Sequence, residues 1–487
     1  MYNDLPAKVI KKYAKYLCFP LCHIINTQIK RGEFPEIWKI EPVTPIPKIY
    51  PTMKRTQLRK ISIFKQFGKN SEKIISDMVI EDIKINLESS QYGNQKGMSI
   101  NHYLVNLIDK VLITLDKNNL EESKAIILNL YDWKKAFDMQ CPKLGLQSFI
   151  KNGVRPALLP VLQNFLQDRK MRVKWHDKMS SQRNLNGGGP QGGTLGIWEY
   201  LSQTNKNLHF VQEDLQSKFV DDASALEVIN LLSIGLASHN FKIHVHSKIP
   251  IHNQIIPKEN LKSQEYLEKL NKWSKNQKME LNLEKTKVML FNFSKNYQFT
   301  TALSIEDKQI EVVDQIKLLG TTITSDLKWD ANVSDLVKRA NSRMILLRKL
   351  KNYNPRIEDM KIIYTSYIRS ILEQSCQVWH FSLTQDNIND LERVQKNALR
   401  IILGFKYNKY EEALERLNLE NLYSRREKLC IKFAQKCTSN VKTQKMFPKN
   451  EVIQKTKNTE QYKVNFARTT RYMKSSIPQM QRCLNKQ

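Results

Sequence analysis

The sequence predicts an α+β fold, on three observations. Short apolar runs of strand character end in carboxylates: residues 125–131 run into Asp132, and Lys218-Phe219-Val220 runs into Asp221-Asp222. Helical periodicity lies between these runs and takes over from Val333 to about residue 438. Five of the 15 glycines crowd into Asn186-Gly-Gly-Gly-Pro-Gln-Gly-Gly-Thr194, a loop of unusual backbone freedom set between regular elements.

In chain order, residues 1–30 place Ile10, Tyr13, Leu17, Leu21 and Ile25 on one helical stripe, which Pro20 is expected to kink or split. Residues 42–60, punctuated by Pro42, Pro45, Pro47 and Pro51, are extended or turning. Helical periodicity returns over 65–87 and 100–116; residues 125–131 read as a buried strand. Helices follow over 144–152, 156–166 and, after the glycine loop, 195–205. Residues 218–224 form a strand interrupted by a polar turn. The polar stretch 236–262, with His244, His246 and His252, reads as a surface insertion or a His-rich metal loop. Short strands occupy 288–323. Residues 441–487 carry 11 Lys/Arg against Glu451 and Glu460, the make-up of a nucleic-acid arm or of a solvated, weakly ordered end.

Composition narrows the class. At 487 residues the chain can hold two to four domains or lobes. Its 41% hydrophobic residues fit a folded protein, and 78 Lys+Arg against 48 Asp+Glu leave +30, which suits a polyanionic partner. Seven scattered cysteines argue for a reducing compartment. Cys18 and Cys22, followed by His23, lack a second ligand pair, so core packing is the expectation rather than zinc. No apolar run approaches the roughly 20 residues that span a bilayer. A soluble, intracellular protein, cytoplasmic or nuclear, is expected, with no membrane partner.

A carboxylate at the end of an apolar strand is costly unless something positive compensates it. Asp132, with Asp138 six residues on, and the Asp221-Asp222 pair therefore suggest a shared divalent cation. Mg²⁺ favours one or two protein carboxylates plus phosphate oxygens, and two such ions can clamp both oxygens of an in-line phosphoryl displacement. Side chains alternate on a strand, so Asp221 and Asp222 are not expected to be equal ligands.

The ordered set is more specific. Asp132-Trp-Lys-Lys-Ala-Phe-Asp138, Gly187-Gly-Gly-Pro-Gln-Gly-Gly-Thr-Leu-Gly196, Phe219-Val-Asp-Asp222, Leu281-Asn-Leu-Glu-Lys-Thr-Lys287 and Lys317-Leu-Leu-Gly320 follow one another. In this series the chain resembles reverse transcriptases of non-LTR retrotransposons, jockey-like elements in particular. Phe34-Pro-Glu-Ile-Trp-Lys39, Pro45-Ile-Pro-Lys48, Leu58-Arg-Lys-Ile-Ser62, Gln91-Tyr-Gly93 and Tyr367-Ile-Arg-Ser-Ile-Leu-Glu373 extend the resemblance over roughly residues 5–440.

The resemblance implies a right-hand polymerase: an N-terminal extension and fingers over 1–125, and a palm with an antiparallel sheet over 126–325. Part of the fingers would fall at about 145–190 and the insertion at 236–262, with a helical thumb over 333–440 and the basic tail beyond. It implies RNA-directed DNA polymerisation with an RNA template, a DNA primer and dNTP, on two Mg²⁺ ions or Mn²⁺. Asp132 and Asp221 would hold the metals with Asp222 assisting, and Lys285 would donate a proton to pyrophosphate. Lys48 and Arg59 would grip the triphosphate, with Gln191 and Gly192 under the incoming nucleotide and Leu319 and Gly320 steadying the primer. Phe137 matches the steric gate against a 2′-hydroxyl; its other reading is a core aromatic. For the basic residues a solvated surface role stands beside the functional one.

Departures from the family pattern are Lys60 for proline, Ile100 for threonine, Val220 for alanine and Gly193 for serine. The chain is expected to lack the element's upstream endonuclease. A non-catalytic nucleic-acid-binding relic and a group II intron type enzyme are the rival readings.

Overall fold

The computed structural model of the chain describes residues 5–117, 124–185, 187–189, 191–231, 251–294, 297–450 and 461–486. It is α+β, as the strand and helix patterning predicts, and divides into two compact units, each assembled from three separated stretches. The first unit takes residues 1–89, 132–210 and 266–282; the second takes 90–131, 211–265 and 283–487. Most of the 236–262 insertion, with His244 and His246, lies outside the described residues.

In the first unit, the N-terminal helical stretch breaks at Tyr13, between Ala7–Lys12 and Ala14–Arg31, and not at Pro20, which stays inside the second helix. A proline removes one backbone bond, and here the helix tolerates that loss. This helix buries only Ile25 and Gln28; of the expected stripe Tyr13 is 47% exposed, and Ile10, Leu17 and Leu21 are half-buried. Cys18 and Cys22 are exposed, not core residues.

The proline-rich segment forms strand Ile40–Pro47, antiparallel to Leu58–Ser62 and parallel to Lys170–Trp175. Pro42 donates nothing, yet its carbonyl accepts from the Ile63 N–H at 2.8 Å. Beneath, Glu41 and Arg169 form a buried ion pair, with Arg169 lying over the Phe165 ring at 4.4 Å. Helix Gln66–Ile83 buries Ile75, Val79 and Ile83.

The second unit is organised on a five-stranded sheet in the order Glu311–Val312, Lys287–Phe291, Lys124–Tyr131, Asp222–Asn230, Gln216–Phe219. It is antiparallel as expected except for its first pair, which is parallel. The central strand is apolar because it is covered: Ala125 to Leu128 are fully buried. Helix Ile100–Asp116 buries Tyr103, Leu104 and Val111, and the Tyr103 hydroxyl meets the Ser224 hydroxyl at 3.0 Å. Beyond Trp329 the unit is helical, its longest helices being Asp330–Lys351, Gln385–Leu403 and Leu422–Thr438.

The C-terminal residues are not a solvated, weakly ordered end. Helix Ser476–Asn485 buries Ile477, Met480 and Leu484 in the same core. Asp116 anchors the approach to it, accepting from the Arg468 and Thr469 backbone N–H groups, both at 2.8 Å, and from the Thr469 hydroxyl at 2.5 Å.

Candidate functional site

The Asp pair sits on a hairpin whose last ladder pair is Phe219–Asp222, leaving Val220 and Asp221 as a two-residue turn. Asp221 is thus exposed in the turn, while Asp222 begins the outgoing strand. The two residues are set apart by this turn–strand boundary, not by alternation along one strand. Val220 is held at φ 59°, a conformation that a β-branched residue adopts only under constraint.

The constraint is local to the second unit. The Gln91 side-chain oxygen accepts from the Val220 N–H at 3.0 Å and from the Gly93 N–H at 2.8 Å. Lys218 bonds through its backbone to Ser90 and Tyr92. A Cβ on Gly93 would lie 2.5 Å from the Val220 nitrogen, so only glycine fits. The sequence marks Gln91-Tyr-Gly93 as a block without giving it this role.

Strand Lys124–Tyr131 delivers the other carboxylate. Its last residue, Tyr131, lies opposite Ala223, two residues after Asp221, and Asp132 follows. Within the first unit Asp132 is fixed by Asn282, whose backbone N–H donates to the Asp132 carbonyl at 2.8 Å and whose side-chain amide donates to Oδ2 at 3.0 Å. Asn282 belongs to the Asn-x-x-Lys-Thr block, which is where its signal lay; sequence reasoning gave a role there only to Lys285.

The glycine loop packs on polar side chains of its own unit. Gly188 and Gly189 donate to the carbonyls of Gln140 and Phe137 at 2.8 and 2.9 Å, and the Gln191 carbonyl accepts from Ser62 N–H at 2.7 Å. The Gln191 amide donates to Asp138 at 3.2 Å, and Lys60 pairs with the same carboxylate at 3.1 Å. Lys60 therefore ties strand Leu58–Ser62 to Asp138. Gly192, at φ 139°, would put a Cβ 2.4 Å from the Ser62 carbonyl oxygen. At Gly193 a Cβ would fall 2.1 Å from the Glu72 carboxylate, which accepts from the Leu195 N–H at 2.9 Å, so a serine there requires Glu72 to shift.

Two carboxyls beneath this loop are perturbed. Burial pushes Glu199 up to about 8, Arg169 only partly opposing it, and burial likewise raises Glu72. Phe137 is half-buried, its ring 5.1 Å from that of Tyr200.

Lys48 and Arg59 are exposed where Ile40–Pro47 and Leu58–Ser62 adjoin, Arg59 opposite Ile46 and the Lys48 N–H bonded to the Gln57 carbonyl. Among the described residues neither makes an ion pair. In the second unit Lys285 is exposed just before strand Lys287–Phe291. Leu319 and Gly320, both at positive φ, form the turn between strands Gln315–Leu318 and Thr321–Thr324. The Gln374 amide donates to the Gly320 carbonyl at 3.3 Å and accepts from Arg339 at 2.9 Å, securing the turn.

Among the described residues no group of three or more His, Cys, Asp or Glu side chains is gathered as a metal cage, and no helix is long and apolar enough to cross a membrane.

A strand end bearing Asp132, a glycine loop, an Asp-Asp hairpin and a Leu-Gly hairpin thus follow one another along the chain. In sequence the chain is similar to RNA-directed DNA polymerases of transposons from Drosophila melanogaster, in agreement with the resemblance to non-LTR retrotransposon enzymes. It is 24% identical over 416 residues to the probable polymerase of transposon BS, covering 82% of this chain and 42% of that protein. For mobile element jockey the match is 22% over 408 residues, 81% and 41% of the two chains. The chain thus spans about two-fifths of the length of these relatives. No family model matches it. Distant likenesses in fold, each at 11% identity, include Candida albicans telomerase (TM-score 0.39, 89% and 70% of the two chains) and a human picobirnavirus RNA-dependent RNA polymerase (TM-score 0.41, 80% and 64%).

Proposed function

We propose that the chain is an RNA-directed DNA polymerase of a non-LTR retrotransposon, in which a primer 3′-hydroxyl attacks the α-phosphate of a dNTP on an RNA template and pyrophosphate leaves. The observation that carries the proposal is the register of the central sheet. It pairs the residue before Asp132 with Ala223, beside the turn that presents Asp221 and Asp222. In the right-hand arrangement this reading implies, the sheet is the palm, the strands around Leu58–Ser62 belong to the fingers, and the helices from Asp330 form the thumb.

Asp132 and Asp221, assisted by Asp222, would hold two Mg²⁺ or Mn²⁺ ions. A donor set of so few carboxylates fits ions whose coordination is completed by substrate phosphates. When bound, such ions supply charge neutralisation and orientation for the displacement. The chain's own residues position the reactants. Asn282 fixes Asp132, Gln91 fixes the Asp221 turn, and the glycine loop offers backbone without side chains to the nucleotide. Exposed Lys48 and Arg59 meet phosphate charge, and Lys285 donates a proton to the departing pyrophosphate.

Primer extension on poly-rA/oligo-dT with Mg²⁺ or Mn²⁺ tests this. Asp132→Asn and Asp221→Asn are expected to abolish synthesis while RNA binding and melting temperature hold. Substantial synthesis by either variant would refute the metal assignment. A wild-type chain that binds RNA and never extends would instead be a nucleic-acid-binding relic.

A further inference from the structure

Beneath the glycine loop, wholly within the first unit, buried acceptors converge with no donor between them. Glu199, on helix Leu195–Gln203, is 1% exposed, and among the described residues neither of its carboxyl oxygens has a hydrogen-bond partner. Gln140 is buried as deeply. Its amide nitrogen donates to the Gly196 carbonyl at 3.1 Å, which turns Oε1 the other way and leaves that oxygen unpartnered too. The two side chains meet at Gly189, where a Cβ would lie 2.0 Å from Gln140 Oε1 and 3.5 Å from Glu199 Oε2. Glu199 Oε1 presses on Gly145 of helix Pro142–Lys151, whose Cβ would fall 2.2 Å from it.

The neighbouring donors are committed elsewhere. The Gly189 N–H donates to the Phe137 carbonyl and the Gly145 N–H to the Cys141 carbonyl, both at 2.9 Å. Arg169, the cation that bears on Glu199, gives its guanidinium to Glu41 and to the Phe165 carbonyl. Glu72, from the packed helix Gln66–Ile83, is itself an acceptor, from the Leu195 N–H. The lysines of the two packed helices, Lys69, Lys73, Lys143 and Lys151, are exposed. An ionised Glu199 would therefore be a buried charge without a partner, set against a second orphan acceptor. A proton on its carboxyl removes the charge and supplies the missing donor.

We infer that Glu199 is a positioning residue for the glycine loop, a neutral carboxylic acid whose O–H donates to Gln140 Oε1 and holds Gln140 against the loop. Gln140 carries that loop directly. Its backbone carbonyl accepts from the Gly188 N–H at 2.8 Å, and its amide holds the first turn of helix Leu195–Gln203 through Gly196. One carboxyl proton thus braces the segment from Gly188 to Gly196 at both ends. Burial raises the Glu199 carboxyl to about 8, so the proton is kept at neutral pH and given up above about 8. Ionisation then withdraws the donor and turns a negative charge on the Gln140 oxygen, which loosens the loop. Glu199 lies too deep to touch a nucleotide and acts only through Gln140. The loop's place under the incoming nucleotide rests on the polymerase reading; the protonation and the bracing do not.

Two measurements on the full chain need no polymerisation. The infrared difference spectrum between wild type and Glu199→Gln at neutral pH should contain the carbonyl stretch of a neutral carboxylic acid, giving way to a carboxylate band above about pH 8. Hydrogen exchange over residues 187–189, corrected for its intrinsic pH dependence, should show about a tenfold loss of protection as the wild type passes that pH, the loss of one good hydrogen bond. Glu199→Gln, whose amide also donates, should stay level. In primer extension the KM for dNTP should rise about tenfold over the same range in the wild type, hold steady in Glu199→Gln, and be raised at every pH in Glu199→Leu, which has no donor. Should Glu199→Gln melt below the wild type at neutral pH, the wild-type exchange profile decides alone, and protection that stays level from about pH 6 to 9 would overturn the assignment. So would a carboxylate band at neutral pH, or parallel loss of protection in wild type and Glu199→Gln. A chain that never extends a primer would sink the polymerase reading and leave the infrared and exchange results to decide this one.

Discussion

Val220 and Glu199 each hold a conformation or a charge state that their own chemistry disfavours. At φ 59° a β-branched residue stores about 1–3 kcal/mol, and what enforces it is the double acceptance by Gln91 with Gly93 pressed against the turn. Val220→Gly is therefore expected to raise the melting temperature, because glycine takes that φ freely. Gly93→Ala should lower stability by roughly 1–3 kcal/mol and reduce primer extension, since its methyl would strike backbone. Thermal melts of the two variants check this, and a neutral Gly93→Ala would refute the buttress.

Glu199 is fully buried, and burial raises its carboxyl from the ordinary 4.5 to about 8. A raised folded value means the unfolded chain gives up its proton first. The contribution to stability is whole below about pH 4.5, declines as pH rises, and is gone above about 8. Glu199→Gln removes the titrating group and keeps the shape. Its melting temperature should exceed the wild type's at pH 8 and converge with it near pH 4.5. Parallel pH profiles for the two chains would show that Glu199 is not the group responsible.

Among the elements, legibility follows the range of the interaction that decides each one. Strand Lys124–Tyr131 and helix Ile100–Asp116 fall where periodicity puts them, because each is decided by its own run of apolar residues. The Asp221 turn and the Leu319-Gly320 turn are placed by motif, but the partners that hold them, Gln91 and Gln374, come from far along the chain and are not. Nor does the sequence reveal that Glu72 fills the space beside Gly193, over a hundred residues away. The partly exposed stripe of helix Ala14–Arg31 departs from expectation for a related reason: a helix-period stripe says which face is apolar, not how far along the helix a neighbour covers it.

Phe137 belongs at this scale, because its segment carries it between the Asp132 strand and the glycine loop. Half-burial beside Tyr200 leaves part of the ring available, and we expect Phe137→Ala to raise rNTP over dNTP incorporation through kcat/KM. A core role predicts instead that activity on both substrates falls together with the melting temperature. An unchanged rNTP/dNTP ratio in a destabilised variant would sink the gate.

Across the whole molecule the +30 charge and the C-terminal segment pose one question: whether the basic end serves nucleic acid or the fold. Composition alone allows a free arm, but residues 461–486 close over helix Ile100–Asp116, with Tyr472 and Met480 fully buried. Asp116 accepts three hydrogen bonds at that junction and is itself 5% exposed, so Asp116→Ala strands two backbone donors in the core. The expected cost is on the order of 2–4 kcal/mol, several times one ordinary bond. Truncation after residue 460 should be worse, because it uncovers apolar surface of the second unit's core. Any loss of RNA affinity in the truncated chain would then reflect unfolding, and salt dependence has to be read from charge reversals that leave the packing alone. Lys474→Glu with Lys486→Glu, both exposed, meets that condition. If the docked end also touches RNA, the slope of log K against log salt flattens by about 0.7 for each phosphate no longer neutralised, at unchanged melting temperature. A truncated chain that melts like the wild type would show that the segment is an appendage after all.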